Sequence, residues 1–509
     1  MDYNEEVLTC FMCSMFHVPC SMIIISAKNA FLKQRTGVEE YTFQLLKHLA
    51  NFSIKEEIIV FTNKIEEKID FPGNFHLKII KLPFLWTQIG LSWEIFKIRI
   101  TNYELRIKGK IGFNCQKPVA IKLFVPIHVM PLIHPRHTVV TVHGLECEYF
   151  PEYYGWFSRK YLRWSTRYAT KHAWKIIAVS ENTKCDLVKL YKADPRKIEV
   201  IYHGVTINQK SKIKDQNDNK KFKNKKPYFL YLGRIELKKN ILGIIRAFEM
   251  FKQIQDSRFK IQEGKADQLP NDNKIASSFP AVISRNDAPI VIARSEATKQ
   301  SEGGDNMDIS DYKLILAGGK GYGWEIVKCL LSRQGSSQSE GSSTYNMKHK
   351  KDIIFMGYVD EKKKWELLKN AEALVFPSFY EGFGMPILEA QSMGTPVITS
   401  DNSSMGEITD LKFSIFNSFV NEIHFQFSKK SKRKNDNVKF KKPASSIQLP
   451  DSVSALLVNP NKPEEIAEAM QRIVSDKKLR DELIKRGYSN VKRFSWEKCA
   501  EKTLQVLKK

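Results

Sequence analysis

Short hydrophobic runs alternate with amphipathic stretches along most of the chain. In the first half, Ile58–Thr62, Thr138–Val142 and Lys175–Val179 predict fully buried strands of a parallel sheet. The same pattern restarts in the second half, with runs at Tyr228–Leu232, Lys313–Ala317, Asp352–Met356, Ala373–Phe376 and Pro396–Thr399. Strands that alternate with helices predict two α/β domains, each built on a parallel sheet.

Polar segments interrupt this pattern and suggest domain boundaries. The predicted units are an N-terminal extension at 1–21, an N-terminal domain at 22–205, a basic linker at 206–226, a C-terminal domain at 227–489 and a C-terminal helix at 490–509 that returns to the N-terminal domain. Insertions are predicted near 263–310, 332–347 and 411–451. Their polar or low-complexity composition offers little to bury. Met22 opens the first strand pattern and is therefore a candidate second start of translation.

Length and charge narrow the class of protein. A chain of 509 residues with 42% hydrophobic and 27% charged residues is an ordinary globular mixture, which excludes a peptide module or a disulfide miniprotein. The formal net charge of +25 favours polyanionic partners: nucleic acid, anionic lipid headgroups or phosphorylated substrates.

Cysteine usage and hydropathy predict a cytoplasmic location. The eight cysteines are scattered, which is typical of a reducing compartment. Cys10, Cys13 and Cys20 lack a second Cys/His pair at zinc-finger spacing, so we interpret them as free thiols. The acidic N-terminus and the lack of any apolar run near 20 residues predict neither export nor membrane spanning.

One loop after a predicted strand carries the most specific chemistry. Gly382 and Gly384 let the backbone approach a ligand, and Pro386 suits the first turn of a helix whose free amides would face a phosphate. Glu381 precedes this helix and Glu389 lies within it. The two carboxylates therefore suit separate hydroxyl groups of one ligand rather than an adjacent acid/base pair.

This combination resembles the Glu-x7-Glu signature of the glycosyltransferase group 1 family. The resemblance implies the GT-B fold, in which two Rossmann-like domains with parallel sheets face a central cleft. It also implies a retaining enzyme that uses a nucleoside diphosphate sugar as donor substrate, with no cofactor. Glu381 would be catalytic, and Gly382, Phe383, Gly384 and Glu389 would bind the donor.

Two other loops extend the resemblance to the donor phosphates. Arg234 and Lys239 follow the strand that ends at Leu232, where the family's Gly-Arg and Lys-Asn pairs embrace the diphosphate. Gly37 matches the glycine of the family's first loop, although Thr36 and Glu39 at capping-box spacing also explain this segment as a helix start. No Asp-x-Asp pair is placed near these residues, so no metal ion is predicted at the site.

His143 is the second catalytic candidate. It ends the strand Thr138–Val142, where open α/β sheets place ligand-contacting residues, and it resembles the family histidine that faces the donor sugar. Many relatives carry aspartate next, whereas this chain has Gly144.

The predicted reaction is transfer of a hexosyl unit, mannosyl or glucosyl, to a hydroxyl of a glycan or lipid-linked saccharide. The alternatives are a sugar phosphorylase or nucleotide-sugar epimerase on the same scaffold, and a non-catalytic basic protein that binds membranes or nucleic acid. The lysine cluster Lys429–Lys434 lies in an insertion and does not by itself predict specific nucleic-acid binding.

The segment Pro151–Lys175 interleaves basic and aromatic residues. This pattern fits either an anionic membrane surface on the inner face of the cell membrane or a core-packed helix with a solvated back.

Overall fold

The computed structural model describes residues 21–107, 120–206, 226–262, 311–332, 348–410 and 452–509. Apart from their end residues, the expected extension, basic linker and three insertions lie outside these ranges, as do Cys10, Cys13, Cys20 and Lys429–Lys434. Within the described ranges, the chain forms two separate parallel sheets flanked by helices.

The first sheet has seven parallel strands in the order β3-β2-β1-β4-β5-β6-β7. The strands are β1 Ser21–Ser26, β2 Glu57–Thr62, β3 Phe75–Ile79, β4 Ala120–Val125, β5 His137–Val142, β6 Lys175–Ala178 and β7 Ile198–Val200. The runs Ile23–Ile25 and Val139–Val142 are almost completely buried, because helices cover both faces of a parallel sheet.

The second sheet has six parallel strands in the order β10-β9-β8-β11-β12-β13. The strands are β8 Tyr228–Leu232, β9 Lys313–Ala317, β10 Ile353–Gly357, β11 Ala373–Phe376, β12 Val397–Ser400 and β13 Leu456–Val458. The predicted strand runs of both halves therefore form strands, within one or two residues at their ends.

Helices connect successive strands. In the first half they are α1 Gly37–Leu49, α2 Ser92–Ile107 after a π-helical turn at Trp86–Leu91, α3 Glu146–Tyr149, α4 Trp156–His172 and α5 Glu181–Tyr191. In the second half they are α6 Ile241–Gln262, α7 Trp324–Ser332, α8 Glu361–Asn370, α9 Met385–Ser392, α10 Ser403–Thr409, α11 Pro463–Ser475, α12 Lys477–Val491 and α13 Trp496–Lys508. Short 3₁₀ turns lie at Pro151–Tyr153, Pro195–Lys197, Leu237–Lys239 and Lys350–Asp352.

The strand order locates the functional crevices. Both sheets follow the 3-2-1-4-5-6 arrangement of doubly wound folds, so the direction of winding reverses between β1 and β4 and again between β8 and β11. Ligands bind such sheets beyond the carboxyl ends of the strands at this reversal. The loops after β8 and β11 are therefore the expected ligand loops of the second half, and two Rossmann-like sheets are confirmed.

The chain crosses between the halves at two adjacent places. Val205 donates its backbone N–H to Phe494 O at 3.3 Å. A Cβ on Gly204 would lie 2.1 Å from the backbone nitrogen of Trp496. Helix α13 then packs in the core of the first half, where Trp496 and Leu507 are buried. The C-terminal helix thus returns to the first sheet, and it begins at Trp496 rather than at 490.

Candidate active site

The loop from β11 to α9 holds the densest group of predicted site residues. Gly384 caps α9 with φ of 108°, a left-handed conformation that favours glycine, and Pro386 lies in the first turn of the helix. Ser403 and Ser404 donate hydroxyl hydrogen bonds to the Glu381 carbonyl. The loop is therefore fixed by hydrogen bonds, with the N-terminus of α9 behind it.

Glu381 contacts a cation from the neighbouring strand loop. Lys239 ends the 3₁₀ turn after β8, and its ammonium group forms an ion pair with Glu381 Oε1. The two side chains are only 15% and 10% exposed. The structure therefore brings a predicted donor-binding cation and a predicted catalytic carboxylate together at the β8/β11 crevice.

Arg234 lies in the same loop with its guanidinium more open to solvent. Its side chain is 63% exposed, and its Nε is 3.2 Å from Glu236 Oε1. Tyr231 fixes the loop by donating its hydroxyl hydrogen to Arg234 O at 2.8 Å. An exposed guanidinium at a crevice can turn to an arriving phosphate. Glu236 would then keep Lys238, whose ammonium lies 3.4 Å from its other oxygen.

Glu389 lies on α9 and faces a different element from Glu381. Its Oε1 accepts a hydrogen bond from Lys364 Nζ of α8 at 2.9 Å. The two carboxylates thus have separate lysine partners.

The same loop presses against the first half of the molecule. A Cβ on Gly382 would lie 1.5 Å from the His143 carbonyl oxygen, so only glycine fits there. Ser180, at the end of β6, donates a hydrogen bond to Gly382 O at 2.8 Å. The β11–α9 loop of the second sheet and the carboxyl ends of β5 and β6 therefore form facing walls of one cleft.

His143 is held in a defined protonation state. Its Nε2 lies 2.7 Å from Pro126 O, and a carbonyl only accepts, so Nε2 carries the hydrogen. Burial lowers the pKa of His143 to about 4, and the ring is neutral near pH 7. The ring packs against Tyr41 and His203, with ring centres 4.8 and 5.4 Å away.

Two residues predicted to bind the donor, Phe383 and Gly37, have surroundings that are explained by packing or by a helix start. The Phe383 side chain is buried and packs against His203 and Phe494, so it contributes to packing between the halves rather than joining the polar side chains. Gly37 begins α1, and a Cβ there would meet nothing within 4 Å. The capping box of Thr36 and Glu39 is present, which explains the helix start without a ligand.

Several site residues were not predicted from the sequence. Tyr380 donates its hydroxyl hydrogen to Asp186 Oδ2 at 2.7 Å and accepts one from Leu145 N at 3.2 Å. Tyr149 donates to the other oxygen of Asp186. The two Tyr380 contacts join residues 194 and 235 positions apart, and Tyr149 lies 37 residues from Asp186, so no local pattern could have identified them.

Glu407 of α10 forms a second link across the cleft. Its two oxygens accept hydrogen bonds from the backbone N–H groups of Glu181 and Asn182, at 2.8 and 3.1 Å, where α5 begins. Burial raises the pKa of Glu407 to about 7, against the lowering effect of these hydrogen bonds. The link therefore titrates near neutral pH.

The geometry suits a ligand with an anionic end and a hydroxylated end. Lys239, Arg234 and the N-terminus of α9 supply positive charge, and the Glu381 and Glu389 carboxylates accept hydrogen bonds from hydroxyls. Within the residues that the structure describes, no group of three His, Cys, Asp or Glu side chains is arranged to hold a metal ion.

Comparisons with known proteins cover both halves. The family model for glycosyl transferases group 1 matches residues 296–419, and the model for glycosyltransferase family 4 matches residues 35–209. Among curated proteins, O-antigen chain mannosyltransferase B of Escherichia coli is 22% identical over 96% of this chain and 100% of its own length. O-antigen chain mannosyltransferase RfbU of Salmonella typhimurium is 23% identical over 72% of this chain and 79% of its own.

Solved structures share the architecture. WaaG, a glycosyltransferase involved in lipopolysaccharide biosynthesis, superposes with a TM-score of 0.52 and 13% identity, covering 96% of this chain and 99% of that one. The two parallel sheets and the cleft between them are therefore the GT-B arrangement.

Proposed function

The chain belongs to the glycosyltransferase group 1 family and is a nucleotide-sugar-dependent enzyme with the GT-B fold, and on that basis we propose that it is a retaining hexosyltransferase. The donor is a nucleoside diphosphate sugar of the mannosyl or glucosyl type, and the acceptor is a hydroxyl of a glycan or lipid-linked saccharide. The observation that carries the proposal is the β11–α9 loop, in which Glu381 pairs with Lys239 while the next residue, Gly382, lies against the His143 carbonyl.

Each group has a role that follows from its charge. The bond from the anomeric carbon to the phosphate oxygen breaks, the acceptor oxygen bonds to the same face, and the acceptor proton leaves with the nucleoside diphosphate. Positive charge then develops on the sugar ring, which the Glu381 carboxylate stabilises. Negative charge develops on the phosphate, which Arg234, Lys239 and the N-terminus of α9 stabilise.

The neutral state of His143 fits this scheme. An imidazolium beside the sugar would repel the developing positive charge, whereas a neutral ring can hydrogen-bond a sugar hydroxyl at no electrostatic cost. Burial keeps the pKa of His143 near 4, so the ring stays neutral throughout the working range of the enzyme.

The relatives favour a mannosyl donor. The Escherichia coli and Salmonella typhimurium proteins are both described as O-antigen chain mannosyltransferases. At 22–23% identity the loops that select sugar and acceptor can differ, so the donor is best identified directly.

A donor screen tests the proposal. Purified protein is incubated with UDP-, GDP- and ADP-linked hexoses, and release of the nucleoside diphosphate is measured with and without saccharide acceptors. We expect one donor to turn over, with Glu381→Gln reducing the rate at least tenfold. Turnover that requires orthophosphate would instead support a sugar phosphorylase, and binding without any turnover would support a non-catalytic protein.

We also propose that the enzyme attaches to the inner face of the cell membrane through α4. The helix packs on the first half through small residues, Ser165, Thr166, Ala169 and Thr170. Its aromatic residues Trp156, Phe157 and Trp164 are exposed. This arrangement supports the membrane interpretation of the segment over the core-packed one.

The neighbouring element extends the same surface. Gln88 of the π-helical turn donates a hydrogen bond to Tyr161 of α4 at 3.2 Å, which places the two elements side by side. Phe84, Ile89 and Trp93 are exposed there as well. Exposed aromatic groups among the lysines and arginines of α4 suit the interface of an anionic bilayer. Within the described ranges no helix is long and apolar enough to span a membrane.

Liposome flotation tests the attachment. We expect the protein to float with anionic vesicles at low salt and to be released at high salt, because basic residues attract the anionic lipid headgroups. A variant with Trp156→Ala and Phe157→Ala should float less, whereas Ile326→Ala, at an exposed apolar residue of the second half, should not differ from the wild type. Equal flotation of all three proteins would contradict the proposal.

A further inference from the structure

Lys364 lies one turn inside α8 and joins carboxylates from two helices. Its Nζ is 2.9 Å from Glu389 Oε1 on α9 and 3.1 Å from Glu361 Oε1 on its own helix. The side chains of Lys364 and Glu389 are 19% and 15% exposed. The ammonium also lies 4.5 Å from the ring centre of Trp365, which limits the directions in which it can move.

The side chain of Lys364 remains positively charged despite its partial burial. Burial by itself lowers the pKa of Lys364, but the nearby carboxylates of Glu389 and Glu361 outweigh burial, and the net pKa is raised. The ammonium therefore stays charged at all working pH values. A charged hydrogen bond shielded from water is stronger and better oriented than one on the surface, so Lys364 holds Glu389 in one position.

The two carboxylate oxygens of Glu389 have different surroundings. Oε1 accepts the bond from Lys364, and Oε2 accepts no hydrogen bond within the part of the chain that the structure describes. A carboxylate with one oxygen fixed and the other available is preorganised for an incoming hydroxyl, because its rotamer is already chosen.

We propose that Lys364 is a positioning residue, which fixes Glu389 so that Oε2 receives the ribose hydroxyls of the nucleoside diphosphate. The proposal rests on the proposed transferase function, in which Glu389 takes the donor-binding role that the family resemblance implies. Lys364 lies on a different helix from the elements that carry Glu381 and Lys239, so its effect falls on nucleotide binding rather than on the breaking bond.

Nucleotides that lack the ribose hydroxyls show whether Lys364 positions Glu389 for the ribose or only supports the structure in general. Calorimetric titrations use UDP and GDP, each beside its 2′,3′-dideoxy form, with the wild type and with Lys364→Met. For whichever nucleotide binds the wild type, we expect Lys364→Met to weaken the ribonucleotide about tenfold or more and to leave the dideoxy form within about twofold. Lys364→Arg should recover most of the loss, and the donor KM should rise at constant kcat.

Lys363→Met is the matched control. Lys363 is on the same helix, its side chain is 41% exposed, and it pairs with Glu366 rather than with the site. It should bind both forms as the wild type does. If Lys364→Met does not fold, as its melting temperature would show, Lys364→Gln is measured in the same titrations.

Two results would overturn the positioning role: equal weakening of the ribo- and dideoxy forms by Lys364→Met, and no weakening of either. Failure of the underlying proposals gives different signatures. Equal binding of both forms by the wild type would show that Glu389 does not contact the ribose. Absence of turnover with every donor, despite normal nucleotide binding, would contradict the transferase function instead.

Discussion

Glu381 and Glu389 have different partners in the structure, and their glutamine variants should fail differently. Glu381, in the loop, should contact the transferred sugar, so Glu381→Gln should lower kcat at least tenfold and leave nucleotide affinity nearly unchanged. Glu389→Gln should weaken donor and free nucleotide alike, by the roughly 1.5 to 3 kcal/mol of a charged hydrogen bond. Steady-state kinetics and calorimetry with the nucleoside diphosphate measure both. The reverse pattern would mean that the two roles are exchanged.

Gly382 lies where the two walls of the cleft touch. Because an added Cβ would lie 1.5 Å from the His143 carbonyl oxygen, Gly382→Ala must push the donor loop away from β5. We expect a destabilisation of about 3 kcal/mol or more and a large loss of kcat, measured by denaturant unfolding and by kinetics. Gly73→Ala is the control, since a Cβ at that position meets nothing within 4 Å. Wild-type behaviour of Gly382→Ala would show that the cleft is open in solution.

Positive side chains at the site lead to a prediction about metal ions. Lys239, Arg234 and the N-terminus of α9 supply the charge that a divalent cation provides in other transferases. We therefore expect turnover to persist in EDTA, with less than about a twofold change in kcat. Loss of activity in EDTA that Mn²⁺ restores would contradict this expectation, and Arg234→Ala should lower the rate with or without EDTA.

At the scale of elements, α10 and α5 meet through the Glu407 carboxylate, which makes stability depend on pH. Burial raises the pKa of Glu407 to about 7 in the folded protein, while the unfolded chain has its ordinary value near 4.5. Between these values the folded state holds a proton that the unfolded state has lost. The contribution of Glu407 to the free energy of unfolding is therefore fully present below pH 4.5. It falls by up to about 1.4 kcal/mol per pH unit towards pH 7.

Glu407→Gln removes this titration. We expect the difference in unfolding free energy between wild type and variant to change between pH 4.5 and 7, measured by denaturant unfolding at several pH values. Asp186, whose pKa burial also raises, is present in both proteins, so its own titration cancels in the comparison. The nearby charge of Glu181 helps to raise the pKa of Glu407 and is part of the measured effect. The exposed Glu464→Gln is the control. A constant difference between wild type and Glu407→Gln would show that Glu407 does not titrate in this range.

Apart from edge strand β10, the strands that the sequence pattern predicted are buried along nearly their whole length, and the strands that it missed show the physical reason. Edge strand β3 has exposed Lys78 and half-buried His76, so it lacks a continuous apolar run. Lys122 interrupts β4, where its ammonium donates to Leu507 O of α13 at 2.7 Å. That partner lies 385 residues away, and a local window cannot contain it. Motif spacing located the two site carboxylates, but Lys364, Asp186 and Glu407 became visible only from tertiary contacts.

At the scale of the whole molecule, the cleft depends on chain crossings and cross-cleft hydrogen bonds rather than on one continuous core. Gly204 and Trp496 meet at the crossings, while Tyr380 and Glu407 bond residues of the opposite wall. The same interface includes aromatic packing, of Tyr380 on Tyr149 and of Phe383 on His203, so polar and apolar contacts together join the two walls.

Both ends of the segment 263–310 attach to the second half far from this cleft. Its deletion should therefore not change the catalysed reaction. It follows Gln262 of α6 and rejoins the chain just before Lys313, at the amino end of β9, whereas the donor loops follow the carboxyl ends of β8 and β11. The flanking elements also hold each other: Phe251 packs on Tyr312 with ring centres 5.7 Å apart, and Lys252 donates to Tyr312 O at 3.2 Å.

We therefore expect replacement of 263–310 by a short glycine-serine linker to keep kcat/KM within about threefold of the wild type. Closing a shorter loop changes the folding free energy by only about 0.6 kcal/mol per halving of its length, so the melting temperature should change by a few degrees at most. Donor turnover and thermal unfolding test this, with Arg234→Ala as the variant that must lose activity. A deletion variant that folds normally but turns over no donor would contradict this expectation. It would show that the segment contributes to the active site, although its two ends attach at the amino end of β9.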